Sequence, residues 1–227
     1  MVIAPSQVRQ NTLMRLDHVS YVASHDQISD VVNRIGSQIG TAFVDGGIHP
    51  KFGTRNFTAP LLNGQYIEIV CPLDHPATDA TPFGQAVKKK ADAGGGWLAW
   101  VFSVDNISAI ETKFGRLSVG GHRKKPDGTE LKWKQLGVKE IFSMNELPFF
   151  IEWQTSNHPS QDGIAESKIN KLHITSEDKL EKSLFKNEIQ DSLKNIEIEW
   201  IKLSSAEGSA GIDAIDFETK NGLVCIK

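Results

Sequence analysis

Signals for one strand, one helix and then further strands occur in the same order twice within the first 160 residues. In the first occurrence the segments are LDHVSYVA, the amphipathic helix SHDQISDVVNRIG, and then GTAFVDGG, TRNFTAPLL and QYIEIVCPL. Asn63-Gly64 between the last two strands predicts a tight hairpin turn. A chain with such a repeat is expected to build its sheet from two related halves.

The second occurrence begins near residue 97. Its segments are the strand WLAWVFSV, the helix ISAIETKFGRL, and the later strands LKWKQLG and PFFIEWQT. Alignment of the first strands puts His18 opposite Trp100, an offset of 82 (100 − 18). Alignment of the last strands puts Glu68 opposite Glu152, an offset of 84 (152 − 68). The near agreement of the two offsets predicts a duplicated module.

The predicted fold class is therefore α+β, with four parts along the chain. These are a first βαβββ module at residues 14–75, a linker helix with a glycine-rich break at 76–96, a second βαβββ module at 97–157, and a C-terminal partial βαββ module at 165–227. In the last part, INKLHIT, IEIEWIKL, IDAIDFET and GLVCIK read as strands, and residues 176–193 as a helix.

Composition excludes some classes of partner. A formal charge of −3 and a pI near 6.2 give no field that would recruit nucleic acid or an acidic membrane. Two isolated cysteines, Cys71 and Cys225, form neither a disulfide framework nor a zinc-binding spacing. The sequence also lacks an apolar run of membrane-spanning length. We expect a cytoplasmic protein whose partner is a small molecule.

Alternation along the strands identifies side chains that share a face. His18 on the first strand and Glu68 on the fourth are predicted to point away from the helix, and Trp100 and Glu152 take the matching positions in the second unit. A buried carboxylate needs a cation, a metal ion or water beside it. Two such residues at equivalent positions favour a shared cavity over the alternative, an edge strand whose polar face meets solvent.

Taken in order, these motifs resemble the vicinal oxygen chelate superfamily and, within it, the glyoxalase-like domain proteins. The segments that carry the resemblance are LDHVSYVA, GGIHPKFGTRNFTAPL, YIEIV, GGGWLAWVFSV, LPFFIEW and HPS. They span residues 14–160. The resemblance implies paired βαβββ modules that form a cupped, mostly antiparallel sheet, with helices outside, a pocket within, and a homodimer as one expected assembly.

In metal-dependent members of the superfamily, the ligands come from the first and fourth strands of both modules. The corresponding positions here are His18, Glu68, Trp100 and Glu152. An indole does not bind a divalent cation, so the resemblance implies either one ion (Mn, Fe, Ni or Zn) held by His18, Glu68 and Glu152 or a pocket that has lost its metal.

Further candidate residues lie in the glycine-bounded turn of the first module, directly after that turn, and on a strand of the second module. His49 supplies the missing metal ligand, acts as a general base, or donates a hydrogen bond to a ligand. Arg55 and Asn56 suit a carboxylate or carbonyl oxygen, although Arg55 also has Asp45 as an alternative partner. Trp133 either lines the pocket or fills the core.

Two functions fit these observations. The first is a metal-assisted lyase, isomerase or dioxygenase that acts on a small oxygenated molecule, with Glu68, His49 or Glu152 moving a proton. The second is a metal-free protein that binds or sequesters a small molecule, with Trp100 and Phe102 stacking on the ligand. The sequence does not choose between them, because one fold hosts many chemistries.

Overall fold

The computed structural model describes residues 13–142, 146–177, 186–193, 195–203 and 209–227. The first unit folds in the expected order. Its elements are β1 (Met14–Val22), α1 (Ile28–Ile39), β2 (Val44–His49), β3 (Thr54–Leu61) and β4 (Gln65–Pro72). A short 3-10 turn, Leu62–Gly64, joins β3 to β4, and both Asn63 and Gly64 adopt positive φ angles there, which Asn and Gly tolerate best.

The second unit follows two linker helices. The linker holds α2 (Pro76–Ala80) and α3 (Pro82–Asp92). The second unit consists of β5 (Gly96–Val104), α4 (Ile107–Phe114), β6 (Val119–Lys124), β7 (Glu130–Leu136) and β8 (Phe149–Trp153). Strand β6 has no counterpart among the strands expected from the sequence, which recognised only two strands after the helix of this unit.

The C-terminal unit forms a separate four-stranded sheet in the order β10-β9-β11-β12. Its elements are β9 (Lys168–Ser176), α5 (Lys186–Ser192), β10 (Glu197–Lys202), β11 (Gly211–Thr219) and β12 (Gly222–Ile226). The helix expected at residues 176–193 lies partly outside the described residues. The exact boundaries of the modules stay a prediction.

The two helices that flank the barrel strands end at residues suited to that role. Helix α1 buries Ile28, Ile35 and Ile39 on one side and ends at Gly40, which has a φ of 70°. Helix α4 begins after Asn106, whose side chain accepts a hydrogen bond from the backbone N–H of Ser108. None of the helices in the described residues has the length and apolar character required to span a membrane.

Eight strands of the first two units close into a barrel in the order β1-β4-β3-β2-β6-β7-β8-β5. The pairs β1–β4 and β5–β8 are parallel, and the other pairs are antiparallel. Two antiparallel pairs join the units: β1 runs along β5, and β2 meets β6 at Ile48 and Lys124. The α+β class and the tandem modules are confirmed, and the expected cup is closed on itself.

Two apolar clusters occupy the two sides of the barrel wall. The inner cluster fills the barrel next to α3, and the outer cluster joins outward side chains to α1, α4 and the C-terminal sheet. Trp97 belongs to the outer cluster: its Nε1 donates a hydrogen bond to the carbonyl of Ile226 at 2.8 Å, and its ring centroid lies 6.2 Å from that of Phe217. The C-terminal sheet therefore covers the outer face of β5.

Candidate functional site

A small cavity lies inside the barrel, and it mixes charged and aromatic side chains. Its volume is about 30 Å³, room for about one or two water molecules. Most of the strands contribute a side chain to it. The residues that line it are His18, His49, Phe52, Asn56, Tyr66, Glu68, Phe83, Arg123, Trp133, Gln135, Phe149, Ile151 and Trp153.

A chain of buried hydrogen bonds crosses this cavity from β6 to β1. Arg123 Nη1 donates to Asn56 Oδ1, and Asn56 Nδ2 donates to Glu68 Oε1 at 2.7 Å. The other carboxylate oxygen, Glu68 Oε2, accepts a hydrogen bond from Ser20 Oγ at 2.7 Å. All four side chains are at least 94% buried, since Glu68 is the most exposed of them at 6%. The network thus links a buried cation to a buried anion through a neutral amide.

The Arg123 guanidinium keeps two donors free of protein partners. Within the described residues, its Nε and Nη2 atoms are buried and have no hydrogen-bond acceptor. These two N–H groups lie along the same edge of the planar guanidinium. Together they form the fork that binds a carboxylate with two parallel hydrogen bonds. A buried donor without an acceptor costs about 1–3 kcal/mol. The free fork therefore indicates a ligand site.

Gly46 on β2 makes room for this arrangement. A Cβ atom at position 46 would lie 2.2 Å from Asn56 Oδ1 and 2.4 Å from Arg123 Nη1. Such distances are far below van der Waals contact, so any larger residue would displace the amide or the guanidinium. The absence of a side chain at this position is therefore part of how the site is built.

Glu68 is ionised despite its burial. Burial alone would raise its pKa, but the nearby His18 and His49, the hydrogen bond from Ser20 and the Arg123 guanidinium together lower it. At neutral pH the cavity thus holds one carboxylate and one guanidinium.

His18 is held by a buried aspartate at one end of the barrel. Its Nδ1 lies 3.0 Å from Asp17 Oδ2, and its ring stacks on Tyr66 with centroids 4.4 Å apart. Asp17 also accepts hydrogen bonds from His158 Nε2 at 3.0 Å and from Trp153 Nε1 at 3.2 Å. With Nδ1 engaged, Nε2 is the nitrogen of His18 that a ligand in the cavity can use.

His49 is a neutral member of the cavity. Its Nδ1 shares a hydrogen bond of 2.9 Å with Thr54 Oγ1, and its ring lies edge-on to Trp133, with centroids 5.7 Å apart. Burial lowers the pKa of His49 from 6.5 to about 4, with Arg123 adding to the effect and Glu68 opposing it. His49 is therefore an acceptor or a neutral donor at physiological pH, and a weak base for catalysis.

This pKa predicts a loss of stability in mild acid. Between pH 6.5 and about 4 the unfolded chain binds a proton at His49 that the folded chain does not. The free energy of unfolding therefore falls as the pH falls, by roughly 3 kcal/mol from this residue. Urea unfolding at several pH values should show a shallower pH dependence for His49→Gln than for the original chain. The exposed His25→Gln is the control, and equal slopes for all three proteins would contradict the prediction.

An outer cleft adjoins the cavity. Its volume is about 230 Å³, and its walls include Pro82, Leu117 and Val138, with Lys51 and Lys139 also lining it. Phe52 and Phe83 line both the cleft and the cavity, and their ring centroids are 5.6 Å apart. The two phenylalanines therefore separate the polar cavity from the apolar cleft.

The structure brings His18, His49, Asn56, Glu68 and Trp133 together, but it does not bring Glu152 to them. Glu152 lies on the outside of the barrel, where its Oε2 accepts a hydrogen bond of 2.7 Å from the backbone N–H of Ile107. Ile107 is the first residue of α4, and a carboxylate there satisfies a free donor and the helix dipole. The expectation that Glu152 shares a cavity with Glu68 is corrected.

Trp100 and Phe102 also face outward. Trp100 Nε1 donates to the carbonyl of Glu146 at 3.1 Å, and its ring lies 6.4 Å from that of Trp200 in the C-terminal sheet. Both side chains belong to the outer cluster, whereas Val101 between them belongs to the inner one. Neither residue can form the floor of the cavity.

A slip in alignment explains all three corrections. The inward residues Val101, Phe149 and Ile151 correspond to His18, Tyr66 and Glu68 at one common offset of 83 (101 − 18, 149 − 66 and 151 − 68). The offsets of 82 and 84 each differ from 83 by a single residue. Because side chains alternate along a strand, a slip of one residue moves every side chain to the opposite face.

Arg55 takes the alternative partner that the sequence allowed. Its guanidinium forms an ion pair with Asp45 and lies over the ring of Phe57, 5.5 Å from the centroid. Asn56, the next residue on β3, points into the cavity instead. Arg55 is therefore half-buried outside the cavity, and Arg123 occupies the place in the cavity for which Arg55 was a candidate.

The cavity residues do not fit a divalent metal ion. With Glu152 outside, the candidate ligands left in the cavity are His18, Glu68 and the alternative ligand His49. Both Glu68 oxygens already accept hydrogen bonds from Ser20 and Asn56, and His49 Nδ1 shares a hydrogen bond with Thr54. Among the described residues, the barrel offers no three potential ligand atoms within 4.8 Å of one another; the one group that meets this distance lies elsewhere.

Two central residues were missed from the sequence, Arg123 and Asp17. A signal for Arg123 does exist: Gly120-Gly121 in β6 repeats the Gly46-Gly47 pair of β2, which marks β6 as the matching strand of the second unit. Alternation from Gly121 then places Arg123 on the same side as that glycine. No comparable signal marks Asp17.

Comparisons with known proteins agree with this architecture. A family model described as a glyoxalase-like domain matches residues 16–185. The chain has no match among curated proteins. It is similar to a solved structure of a hypothetical protein from Staphylococcus aureus, with 16% identity and a TM-score of 0.55 over 95% of this chain and 86% of that chain. At this identity, the likeness shows the fold alone.

Two further solved structures are similar over part of the chain. Methylmalonyl-CoA epimerase from Mycobacterium tuberculosis has 14% identity and a TM-score of 0.42 over 69% of this chain and 94% of that chain. A triple mutant of 4-hydroxymandelate synthase from Streptomyces coelicolor has 11% identity and a TM-score of 0.42 over 66% of this chain and 52% of that chain.

Proposed function

Since the chain belongs to the glyoxalase-like domain family of the vicinal oxygen chelate superfamily, we propose that its barrel binds a small organic carboxylate, and that it does so through a guanidinium and not through a metal ion. The observation that carries this proposal is the free Nε and Nη2 fork of Arg123 in the barrel interior. A carboxylate satisfies both donors at once, with short charge-assisted hydrogen bonds.

Size determines which part of a ligand lies where. The inner cavity of about 30 Å³ has room for a carboxylate group with few further atoms. The cleft of about 230 Å³ is large enough for the remainder, and its walls are mostly apolar. A ligand that spans both spaces requires the rings of Phe52 and Phe83 to rotate apart. The proposed ligand is therefore a small acid with an apolar or weakly polar tail.

His18 is a second polar group beside the position proposed for the bound carboxylate. Arg123 and the ionised Glu68 already neutralise each other across Asn56, so an incoming carboxylate adds one negative charge to the cavity. His18, which is held through Nδ1 by Asp17, presents its Nε2 to the bound ligand as a second polar contact beside the Arg123 fork.

Thermal unfolding with matched pairs of probes tests the proposal. Acetate, propionate, lactate and benzoate are each compared with the corresponding amide at equal ionic strength. At a concentration of 100 times Kd, a ligand that binds only the folded chain stabilises it by about 2.7 kcal/mol. We expect acids to raise Tm and amides to leave it unchanged. Equal effects of acids and amides, or none from either, would refute carboxylate recognition.

The Asp17–His18 pair favours a second candidate function, proton transfer on the bound acid. A histidine whose Nδ1 is held by a carboxylate is oriented to exchange a proton at Nε2. Proton NMR of acetate, propionate or lactate, whichever binds, recorded in D₂O, separates the two functions, because each of these acids has hydrogen on the carbon next to the carboxylate. Loss of the signal of the hydrogen next to the carboxylate, dependent on His18, indicates catalysis, whereas binding without exchange indicates sequestration.

A further inference from the structure

A second group of chemically active side chains lies outside the barrel, on the C-terminal sheet. Strands β9, β11 and β12 alternate between apolar residues that face the core and polar residues that face away from it. The core-facing set is Leu172, Ile174, Ile215, Phe217, Val224 and Ile226. The residues between them, on the opposite face, are His173, Asp216 and Cys225.

These three side chains converge although they come from three strands. Asp216 and Cys225 are directly paired in the β11–β12 register, and His173 Nε2 lies 3.0 Å from Asp216 Oδ2. One ligand atom from each residue falls within 4.8 Å of the other two. In a tetrahedral zinc site, ligand atoms lie about 3.3–3.8 Å apart, a spacing that small side-chain rotations can reach from here.

We propose that His173, Asp216 and Cys225 bind a zinc ion on this face. An imidazole nitrogen, a carboxylate oxygen and a thiolate together suit Zn²⁺ better than the harder ions Mg²⁺ and Ca²⁺, which take oxygen ligands. Three protein ligands leave the fourth tetrahedral position to water or to a group from another molecule. The site is independent of the barrel cavity and of the function proposed for it.

Glu199 provides a second observation that points to a metal. Its Oε2 lies 2.9 Å from His173 Nδ1, on the side of the ring opposite Asp216. A metal-ligating histidine characteristically donates its other N–H to a carboxylate, which fixes the ring and makes the ligating nitrogen more basic. Lys171, the neighbouring cation on this face, is paired with Glu197 at 2.9 Å and also lies 3.8 Å from Glu199 Oε2.

Cobalt substitution tests the site directly. Co²⁺ is added to the full chain, purified without a histidine tag, and absorption is recorded before and after Zn²⁺ is added. We expect a thiolate-to-cobalt charge-transfer band with tetrahedral d–d bands, both removed by Zn²⁺. Cys225→Ser should abolish the charge-transfer band. Cys225→Ser and His173→Gln, as single variants, should each weaken zinc binding by more than about 100-fold. Glu199→Gln should weaken it by about 10-fold, because it removes a supporting partner and not a ligand.

Three controls locate the ion. Glu218→Gln removes an exposed carboxylate from the same strand as Asp216 and should leave the spectrum unchanged. His18→Gln should also leave it unchanged; loss of the band in this variant would move the ion into the barrel and overturn the proposal. A charge-transfer band that survives Cys225→Ser would point to Cys71 and overturn it too. Absence of cobalt and zinc binding at micromolar concentrations would leave only an ion pair of His173 with its carboxylates.

Discussion

Replacement of Arg123 by methionine is expected to weaken binding of small carboxylates by roughly 30- to 1000-fold, the equivalent of about 2–4 kcal/mol. Methionine fills similar space but offers no donor, so the ligand loses both bonds of the fork. Arg123→Lys should lose nearly as much, because an ammonium keeps the charge but not the planar pair of donors. Isothermal titration with the acids that raise Tm measures both effects.

The matched control is Arg55→Met on β3, which is separated from β6 by β2 in the barrel. Arg55 pairs with Asp45 outside the barrel, so its replacement should change Kd by less than about twofold. Arg123→Met leaves Glu68 without its cation, and the double variant Arg123→Met/Glu68→Gln removes both charges and restores a neutral cavity. If carboxylates still bind to either Arg123 variant with the original affinity, or if Arg55→Met abolishes binding, the assignment of the site to Arg123 is wrong.

Replacement of Asp17 by asparagine is expected to lower the free energy of unfolding by about 3–5 kcal/mol, the range for removing one partner of a buried ionic network. Asp17 is completely buried and accepts hydrogen bonds from His18, His158 and Trp153 and an ion pair from Arg15. An asparagine of the same shape carries no charge, and its amide group turns a donor toward at least one of these donors.

The pH dependence has a definite sign. Burial alone would raise the pKa of Asp17, but the hydrogen bonds from His158 and His18 outweigh it and hold the pKa well below its usual 3.8. The stabilisation from Asp17 is therefore present above about pH 4 and is lost as the pH falls further. Urea unfolding at pH 7 gives the main comparison, with the exposed Asp92→Asn expected to lie within about 0.5 kcal/mol of the original chain. A similarly small effect for Asp17→Asn would contradict the prediction, because it would show that the hydrogen-bond donors around residue 17 do not need a charged acceptor.

The sequence predicted side-chain directions correctly where they followed from alternation within a single strand, without alignment to the other repeat. In the first unit, alternation alone puts His18 and Glu68 on one side of the sheet, and the structure has both in the barrel cavity. Period-two alternation fails only if a strand is interrupted, and β4 runs without interruption along both of its neighbours. The order of strands and helices in the first unit could be predicted for the same reason.

In the second unit, side-chain directions were predicted by alignment with the first repeat, and this alignment gave the wrong face. Its first strand, GWLAWVFSV, is apolar on both faces, so alternation along it does not show which side chains point inward. Trp100 was matched by aligning the first strands and Glu152 by aligning the last strands, and a single-residue error in each alignment placed them on the wrong face. A carboxylate on an apolar strand is explained equally well by a helix N-terminus outside the barrel, which only the fold reveals.

Arg123 and Asp17 were missed for different physical reasons. Strand β6 reads VGGHRK, which combines glycines and charges and lacks the apolar alternation by which strands are recognised. Near Asp17 the register between β1 and β5 shifts, between Leu16 and His18. Such a bulge turns a side chain out of regular alternation, so that Asp17 reaches His158 and Trp153 although it is next to His18.

The closure of the barrel bears on how copies of this chain can assemble. A strand bound by hydrogen bonds on both sides has few backbone groups left to offer another molecule. Every barrel strand in the described residues has a neighbour on each side, although β2 and β6 are paired there only at Ile48 and Lys124. Exchange of half-barrels between two copies would have to break the β1–β5 ladder first. The strand edges without a neighbour in the described residues are the outer sides of β10 and β12, the first and last strands of the C-terminal sheet, and a partner strand added there would extend that sheet without reaching the cavity.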